Sequence, residues 1–202
     1  MPAVVTALRR VAARRPGAAA TRVSVEVDGA DWLVLEEADV LRLGLHAGLA
    51  LDDALASQAA AAAREADATR RAGRLLSHRP RSRAELERRL EPTAGAVTAG
   101  VVTERLERLG VVDDRAYAVA LADERLRRGY GPGAIRHLLA ERGVEEAVAA
   151  EVVEGLAGDD VRAAARRAVA GYAGAAAWRR LAARGFDEDV AEAVLGAPEA
   201  WA

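Results

Sequence analysis

The 202-residue sequence contains no cysteine, and its three histidines, His46, His78 and His137, are far apart in the chain. The lack of cysteine excludes structural disulfides, zinc sites with cysteine ligands and thiol nucleophiles. Scattered histidines are not typical of a multi-histidine metal site. The sequence therefore predicts no metal site.

Large aromatic side chains and long apolar runs are also scarce. Aromatic residues make up 3% of a chain that is 51% hydrophobic, and much of the hydrophobic fraction is alanine. Because alanine is the best helix former, this composition favours packed helices. No run approaches the ~18 apolar residues that a membrane helix needs. The apolar stretch at the start precedes its arginines, the reverse of a secretory signal. We expect a soluble cytoplasmic monomer without a membrane partner.

Lysine is absent, so all 29 basic residues are arginine, set against 31 acidic residues for a net charge of −2. The charges are sorted into blocks. Residues 64–89 hold nine arginines and four acids, 141–160 hold one arginine and seven acids, and 161–184 hold six arginines and no acid. Such patches suit a charged, patterned partner better than free DNA, because nonspecific DNA binders usually carry a net basic excess. Ordinary solvated helix faces are the other explanation.

The order of turn and helix signals predicts an all-α protein of tandem three-helix repeats with a small β-hairpin and helix segment at the N-terminus. Val23, Val25 and Val27 alternate before the turn Asp28-Gly29, which is typical of a hairpin. The predicted segments are a flexible arginine-rich arm (1–20), a hairpin and helical cap (21–63), and repeats over 64–110, 111–158 and 159–202.

Each predicted repeat reads helix, turn, helix, glycine stop, helix. The anchors Leu86, Ile135 and Trp178 are 49 and 43 residues apart, a spacing typical of helical repeats. Because three short helices bury little apolar surface alone, we expect the repeats to stack into an elongated array. Ser82 and Glu85 predict a capping box, and Asp113-Asp114 and Asp159-Asp160 predict helix caps.

Two clusters of arginines are the candidate sites for a partner or for nucleic acid, because guanidinium groups bind phosphates and carboxylates. Solubilising charge on exposed helix faces is the alternative for both. The first cluster consists of Arg70, Arg71, Arg74, Arg79, Arg81, Arg83, Arg88 and Arg89, and the second of Arg162, Arg166 and Arg167, followed by Arg179 and Arg180.

No catalytic constellation is recognisable in the sequence. The segment Gly129–Gly133 superficially resembles a phosphate-binding loop, but no strand signal precedes it and Pro132 lacks the amide that such a loop would use. Glu85 and Glu87 are two residues apart on a predicted helix and so point to different faces. We therefore expect a protein that is not an enzyme.

Four stretches of the chain have an order and spacing that point to a known family. They are Arg81-Ser82-x-x-Glu85-Leu86-x-x-x-Leu90; Leu109-Gly110-Val111-Val112-Asp113-Asp114 with Tyr117-Ala118; Gly131-Pro132-x-x-Ile135-x-x-x-Leu139-x-x-x-Gly143-Val144; and Arg184-Gly185-Phe186. The N-terminal segment agrees through Asp28-Gly29, Val40-Leu41 and Gly44-Leu45-x-x-Gly48-x-x-Leu51. Over roughly residues 21–195 the sequence resembles the RecX regulatory proteins, the recombination regulators that act on RecA.

This resemblance implies three tandem three-helix repeats that lie along the groove of the RecA filament on DNA. It also implies inhibition of ATP hydrolysis and strand exchange in DNA recombination, repair and the SOS response, without a cofactor. The sequence has a net charge of −2 and lacks the basic excess of most DNA-binding proteins, so any direct contact with DNA is expected to be weak.

Two other functions remain open from the residues alone. The middle helices of the repeats could be recognition helices of the helix-turn-helix type, which would make the chain a DNA-binding module that acts without RecA. The helices could also form a scaffold for a different protein partner.

Overall fold

The computed structural model describes residues 3–11 and 21–196, and in these residues it contains four strands and ten helices. The strands are β1 (Ala3–Val11), β2 (Arg22–Val27), β3 (Ala30–Glu36) and β4 (Ala50–Leu51). The helices are α1 (Glu37–Arg42), α2 (Asp53–His78), α3 (Arg83–Ala94), α4 (Ala96–Arg108), α5 (Asp114–Arg127), α6 (Pro132–Glu141), α7 (Glu146–Glu154), α8 (Gly158–Ala168), α9 (Gly174–Ala183) and α10 (Glu188–Leu195). No described helix is both long enough and apolar enough to cross a membrane.

The contacts divide the chain into two compact units. The first unit contains Met1–His78 and Glu87–Arg105, and the second contains Arg79–Leu86 and Leu106–Ala202. The start of α3 therefore packs with the helices that follow it in the chain, whereas the rest of α3 belongs to the first unit.

An antiparallel sheet with the strand order β3-β2-β1-β4 forms one side of the first unit. Strands β2 and β3 are joined at Asp28-Gly29, which confirms the predicted hairpin. Val5, Val25 and Leu35 are fully buried, and β3 packs on α2, whose buried face is made of alanines such as Ala59 and Ala62. Because alanine side chains are short, this helix lies close to the sheet.

Two N-terminal predictions are corrected by this sheet. The prediction of an all-α fold with a hairpin missed two further strands, and the flexible arm predicted for 1–20 is the strand β1 over Ala3–Val11. Two of the four arginines that suggested an arm lie on this strand in ion pairs, Arg9 with Glu26 and Arg10 with Glu37, each at 2.8 Å. The remaining arm residues, 1–2 and 12–20, lie outside the described residues.

The predicted boundary between the helical cap and the first repeat, at 63/64, falls inside the continuous helix α2. The alanine-rich stretch and the arginines after it differ in charge but share high helix propensity, so the charge change does not end the helix. The other repeat boundaries remain predictions, as does the stacking of three repeats.

In the second unit, helices α5, α6 and α7 pack on one another, as do α8, α9 and α10, and α5 contacts α8. Their shared core includes Ile135, Leu139, Leu181 and Phe186, each less than a tenth exposed. Two turns in this unit have the same hydrogen bonds. Val144 N–H donates to the Leu139 carbonyl at 3.0 Å, and Phe186 N–H donates to the Leu181 carbonyl at 3.1 Å, which ends α6 and α9 in a Schellman motif.

Comparison of these two turns shows that the prediction of Trp178 as the third repeat anchor is wrong. Ile135 lies eight residues before the glycine of its turn, Gly143, and the residue eight before Gly185 is Ala177. Ala177 is fully buried, whereas Trp178 is only partly buried against the same core. A tryptophan looked like the anchor because of its size, but the buried position of this helix is occupied by a small side chain.

Of the two predicted aspartate caps, the one at Asp113-Asp114 is confirmed and the one at Asp159-Asp160 is wrong. The Asp113 carboxylate accepts a hydrogen bond from Ala116 N–H at 2.9 Å, so Asp113 is the N-cap of α5 as predicted. Helix α8 instead begins at Gly158 after an N-cap at Ala157, so Asp159 and Asp160 lie in its first turn. There they interact favourably with the helix dipole, and Asp159 pairs with Arg162 at 2.7 Å.

Candidate functional site

The structure divides the first arginine cluster between the two units. In the first unit, Arg70 of α2 pairs with Glu36 at 2.6 Å and with Asp67 at 3.2 Å. Arg71 is half-buried, whereas Arg74 of α2 is exposed. Arg88 and Arg89 of α3 are exposed in the same unit. The eight arginines are therefore distributed over both units.

The other members of the cluster surround the carboxylate of Glu85, in the first turn of α3. Arg79 donates to both carboxylate oxygens, with Nη1 3.1 Å from Oε2, and Arg81 Nη1 is 2.5 Å from Oε1. Arg142 Nη1 lies 3.6 Å from the same carboxylate. Glu85 and Arg81 are buried, with 8% of each side chain exposed. One buried acid therefore holds three guanidinium groups that come from two separate turns.

These side chains lie where the start of α3 contacts the helices of the second unit. Ser82 Oγ accepts a hydrogen bond from Glu85 N–H at 3.1 Å, as the capping box predicted, and donates to the Arg142 carbonyl at 2.5 Å. Asp114 of α5 accepts a hydrogen bond from Arg83 N–H at 2.7 Å, and Arg83 also pairs with Glu107 at 3.2 Å. We call this contact between Arg79–Leu86, α5 and the turn Arg142–Val144 the first joint.

The pKa shifts in the first joint follow from burial and from the arginines. Burial would raise the pKa of the Glu85 carboxyl, but the hydrogen bonds and charges of Arg79 and Arg81 outweigh burial and lower it. Burial raises the pKa of Asp114 despite its hydrogen bond from Arg83 N–H. Burial also raises the pKa of the Tyr117 hydroxyl, so Tyr117 is neutral at physiological pH. Glu85 is thus an anion and Tyr117 a neutral hydrogen-bonding group.

A cavity of about 330 Å³ opens beside the first joint. Two of its lining arginines, Arg79 and Arg142, are the ones that reach Glu85, and a third, Arg125, comes from α5. The remaining lining residues are Pro80, Tyr117, Ala120, Leu121 and Glu124. The cavity therefore combines cationic groups with an apolar wall and one acidic side chain.

A second contact of the same kind lies one helical triplet further along the chain. Gly131 N–H donates to the Arg184 carbonyl at 2.7 Å, and Gly133 N–H donates to the Gly185 carbonyl at 2.9 Å. A side chain at Gly131 would place its Cβ 2.5 Å from the Gly185 oxygen. Gly185 has a φ of +78°, and a Cβ there would collide with the backbone of Ala134. We call the contact between Arg128–Ile135, α8 and the turn Arg184–Phe186 the second joint.

The side chains of the second joint differ from those of the first. Arg184, which occupies the position of Arg142, lies over the ring of Tyr130 at 4.5 Å and donates to the Arg128 carbonyl at 3.2 Å. Arg125 approaches the same ring at 5.8 Å. A cation–π contact and a backbone carbonyl therefore take the place of the carboxylate that holds Arg142.

Comparisons with known proteins agree with this geometry. A model of the second three-helix domain of RecX matches residues 113–153, which contain α5, α6 and most of α7. The proteins named "Regulatory protein RecX" from two strains of Thermus thermophilus are each 42% identical to this chain over 118 residues, covering 58% of this chain and 82% of each relative. This chain belongs to the RecX family.

Two solved RecX structures share the fold. One crystal structure of regulatory protein RecX superposes with a TM-score of 0.74 at 20% identity, covering 95% of this chain and 98% of that chain. RecX from Lactobacillus salivarius superposes with a TM-score of 0.59 at 17% identity, covering 65% and 94%. The RecX relatives are named regulatory proteins rather than enzymes.

The second arginine cluster of this RecX chain is partly used inside the second unit. Arg162 pairs with Asp159, and Arg167 donates to the Leu126 carbonyl at 3.1 Å. Arg180 donates to the Ala168 carbonyl at 2.5 Å and stacks on Tyr172 at 4.4 Å. Arg166 and Arg179 are exposed. Like the first cluster, the second is thus divided between structural and exposed arginines.

Two arginines at the joints of this RecX chain, Arg125 and Arg142, were missed from the sequence, and Arg184 was named only as part of a family motif. Arg142 and Arg184 each precede the glycine of a matching turn, so the repeated Arg-Gly dipeptide was a signal that could have found them. Arg125 carried no such signal, because its role depends on the approach of the α2–α3 turn to α5. In residues 3–11 and 21–196 no group of three histidine, aspartate or glutamate side chains could hold a metal ion.

Proposed function

We propose that this protein binds RecA filaments on DNA and thereby inhibits ATP hydrolysis and strand exchange. Membership of the RecX family, whose Thermus relatives are named regulatory proteins, is the observation that carries the proposal. The packed triplets α5–α7 and α8–α10 support it, because a repeated surface suits a partner that is itself a repeating filament. Multipoint contact would add affinity through effective concentration.

The exposed arginines are the proposed contacts to the filament. Arg70, Arg79 and Arg81 are held by carboxylates, so their charge is largely compensated within the protein. The exposed members of the two clusters include Arg74, Arg88, Arg89, Arg166 and Arg179. A guanidinium on the surface can reach a carboxylate or a phosphate of the nucleoprotein filament without first breaking a buried pair.

The experiment is an assay of RecA ATPase activity on single-stranded DNA with increasing amounts of this protein. We expect ATP hydrolysis and strand exchange to decline as the protein approaches stoichiometric amounts. An unchanged rate at a stoichiometric amount would contradict the proposal. Binding to duplex DNA without RecA, with a steep salt dependence and no effect on RecA, would favour the helix-turn-helix alternative instead.

A pair of charge-matched variants tests the contacts. The triple variant Arg74→Ala, Arg88→Ala, Arg89→Ala should weaken inhibition by about tenfold, because each exposed charge contributes modestly to binding. The control triple variant Arg64→Ala, Arg108→Ala, Arg127→Ala removes the same charge from exposed positions of α2, α4 and α5 that belong to neither cluster. If both variants lose inhibition equally, the contact is general electrostatic attraction and not the predicted cluster.

A further inference from the structure

The cavity of the first joint has more positive than negative charge at its walls. Arg79, Arg125 and Arg142 line it, against the carboxylate of Glu124 and the buried carboxylate of Glu85 below. Arg81 is a third guanidinium beside Glu85, after Arg79 and Arg142, and Glu124 is paired with Arg128 at 2.8 Å. A local cationic surplus therefore exists in a chain whose net charge is −2.

Two of these guanidinium groups, those of Arg125 and Arg142, have N–H donors that are not used in hydrogen bonds within the described part of the chain. Arg125 Nε is buried and has no hydrogen-bond partner in the described residues. Arg142 Nη1 is 3.6 Å from Glu85, an ion-pair distance that is too long for a hydrogen bond. Because the guanidinium groups of Arg125 and Arg142 both line the cavity, an anion that accepts hydrogen bonds from them would be stabilised there.

The rest of the lining indicates what the anion is attached to. Glu124 places a negative charge at the wall, which disfavours a doubly charged ligand more than a singly charged one. Tyr117, Pro80 and Leu121 form an apolar wall with one aromatic ring, against which a sugar or a base can lie. A nucleic-acid phosphodiester is a singly charged anion with rings attached nearby. An acidic side chain, by contrast, has no ring to contact the apolar wall.

At the corresponding place in the second joint the backbone packs closely against a helix. Gly129, which corresponds to Pro80, packs directly on α8, where an added Cβ would lie 3.4 Å from the Ala164 carbonyl oxygen and from the Cβ of Ala168.

We propose that the first-joint cavity binds one phosphodiester group of single-stranded nucleic acid, with Arg125 and Arg142 as hydrogen-bond donors and Tyr117 beside the adjoining nucleoside. A single strand is favoured because its unstacked bases can turn toward the protein, whereas those of a duplex cannot. This inference does not depend on the effect on RecA, and its test uses the full chain without RecA.

The test measures the affinity of the protein for a short fluorescein-labelled oligothymidylate by anisotropy at low salt. Arg125→Gln and Arg142→Gln should each weaken binding by about tenfold, since each removes a charge-assisted hydrogen bond. Arg127→Gln removes the same charge from an exposed position of α5 that does not line the cavity, and should change the affinity by less than about twofold. Circular dichroism confirms that each variant is folded.

A variant that gains affinity excludes loss of folding as the explanation. Glu124→Gln removes the acidic group of the cavity and should tighten binding by about threefold. Equal weakening by Arg125→Gln and Arg127→Gln, or no tightening by Glu124→Gln, would overturn the proposal. Tighter binding of a labelled polyglutamate peptide than of the oligonucleotide would also overturn it, because the site would then be a carboxylate site for a protein partner.

Discussion

The first joint and the second joint bring the same two pieces of structure together by different chemistry. In the first joint the segment at the start of α3 contacts the glycine turn that ends α6, at Arg142-Gly143. In the second joint the segment at the start of α6 contacts the glycine turn that ends α9, at Arg184-Gly185. The first joint uses the hydroxyl of Ser82 to reach the turn, whereas the second uses the backbone amide of Gly131. The hydrogen-bond acceptor is in both cases the carbonyl of the arginine before the glycine.

The hydrogen bond to the arginine carbonyl is common to both joints and positions the helices, whereas the side chains around this hydrogen bond differ. The second joint has close backbone approach, which leaves room for no side chain at Gly131 or Gly185. The first joint uses a buried acid and three arginines, and leaves a cavity beside them. We infer that the second joint is built for close packing and that the first retains polar groups that can serve binding.

The largest expected effect is that of a methyl group in the second joint. Gly185→Ala should lower the free energy of unfolding by about 4 kcal/mol, because it combines a left-handed backbone with a steric collision. Gly171→Ala is the matched control, since Gly171 has a φ of +82° but open space around its Cα. This control should cost only about 1 kcal/mol. Urea unfolding measures both, and equal losses would show that the close approach is not needed.

In the first joint the matching test removes the buried negative charge of Glu85. Glu85→Gln should lower the free energy of unfolding by about 3 kcal/mol, because Arg81 is left buried without its counter-ion. Glu146→Gln removes a carboxylate from an exposed pair with Arg136 and should cost less than about 0.5 kcal/mol. A small loss from Glu85→Gln in urea unfolding would mean that the first joint is held mainly by its backbone contacts.

Acid pH should distinguish the two carboxyl groups of the first joint. The lowered pKa of Glu85 gives stability that is complete above its ordinary value of 4.5 and is lost as the pH falls through the folded-state pKa. The raised pKa of Asp114 acts in the opposite direction, so its protonation near and above its ordinary value of 3.8 offsets part of that loss.

Urea unfolding of variants at several acid pH values measures these contributions. Relative to the unsubstituted protein, Glu85→Gln should lose less stability on acidification, and Asp114→Asn should lose more. Parallel pH profiles for all three proteins would contradict the assigned directions.

The smallest expected effect is loss of the stacked ring in the second joint. Tyr130→Leu keeps an apolar side chain but removes the cation–π contacts with Arg184 and Arg125, and should cost about 1 kcal/mol. Tyr117→Leu in the first joint offers a comparison, because it leaves the Glu85 pairs intact. If Tyr130→Leu costs as much as Gly185→Ala, the ring and not the close packing stabilises the second joint.

Local signals predicted much of the helical part. Asp113 caps α5, the hairpin turns at Asp28-Gly29, and the anchors Leu86 and Ile135 are buried. Each of these depends on neighbours in the chain or on simple apolar periodicity. The strand β1 was not predicted, because its arginines concealed the alternation of apolar residues.

The joints could not be predicted in the same way. Glu85 and Arg142 are 57 residues apart, and no local rule brings a carboxylate on one helix to a turn after another. Charge blocks identified a region rich in arginine but could not tell Arg81, which is buried, from Arg88, which is exposed. Burial of charged side chains is decided by tertiary packing, so the functional part of such a cluster is visible only in three dimensions.

The division of α3 between the two units has a consequence for dissecting this chain. Arg79–Leu86 belongs to the second unit, although the residues on both sides of it in the chain belong to the first. A truncated fragment beginning at Leu106 would keep α5 to α10 but would lose the segment that covers α5 and the Arg142 turn. Such a fragment would present an unfilled docking surface, which a synthetic peptide of the missing segment, or the same segment of another molecule, could occupy by complementation.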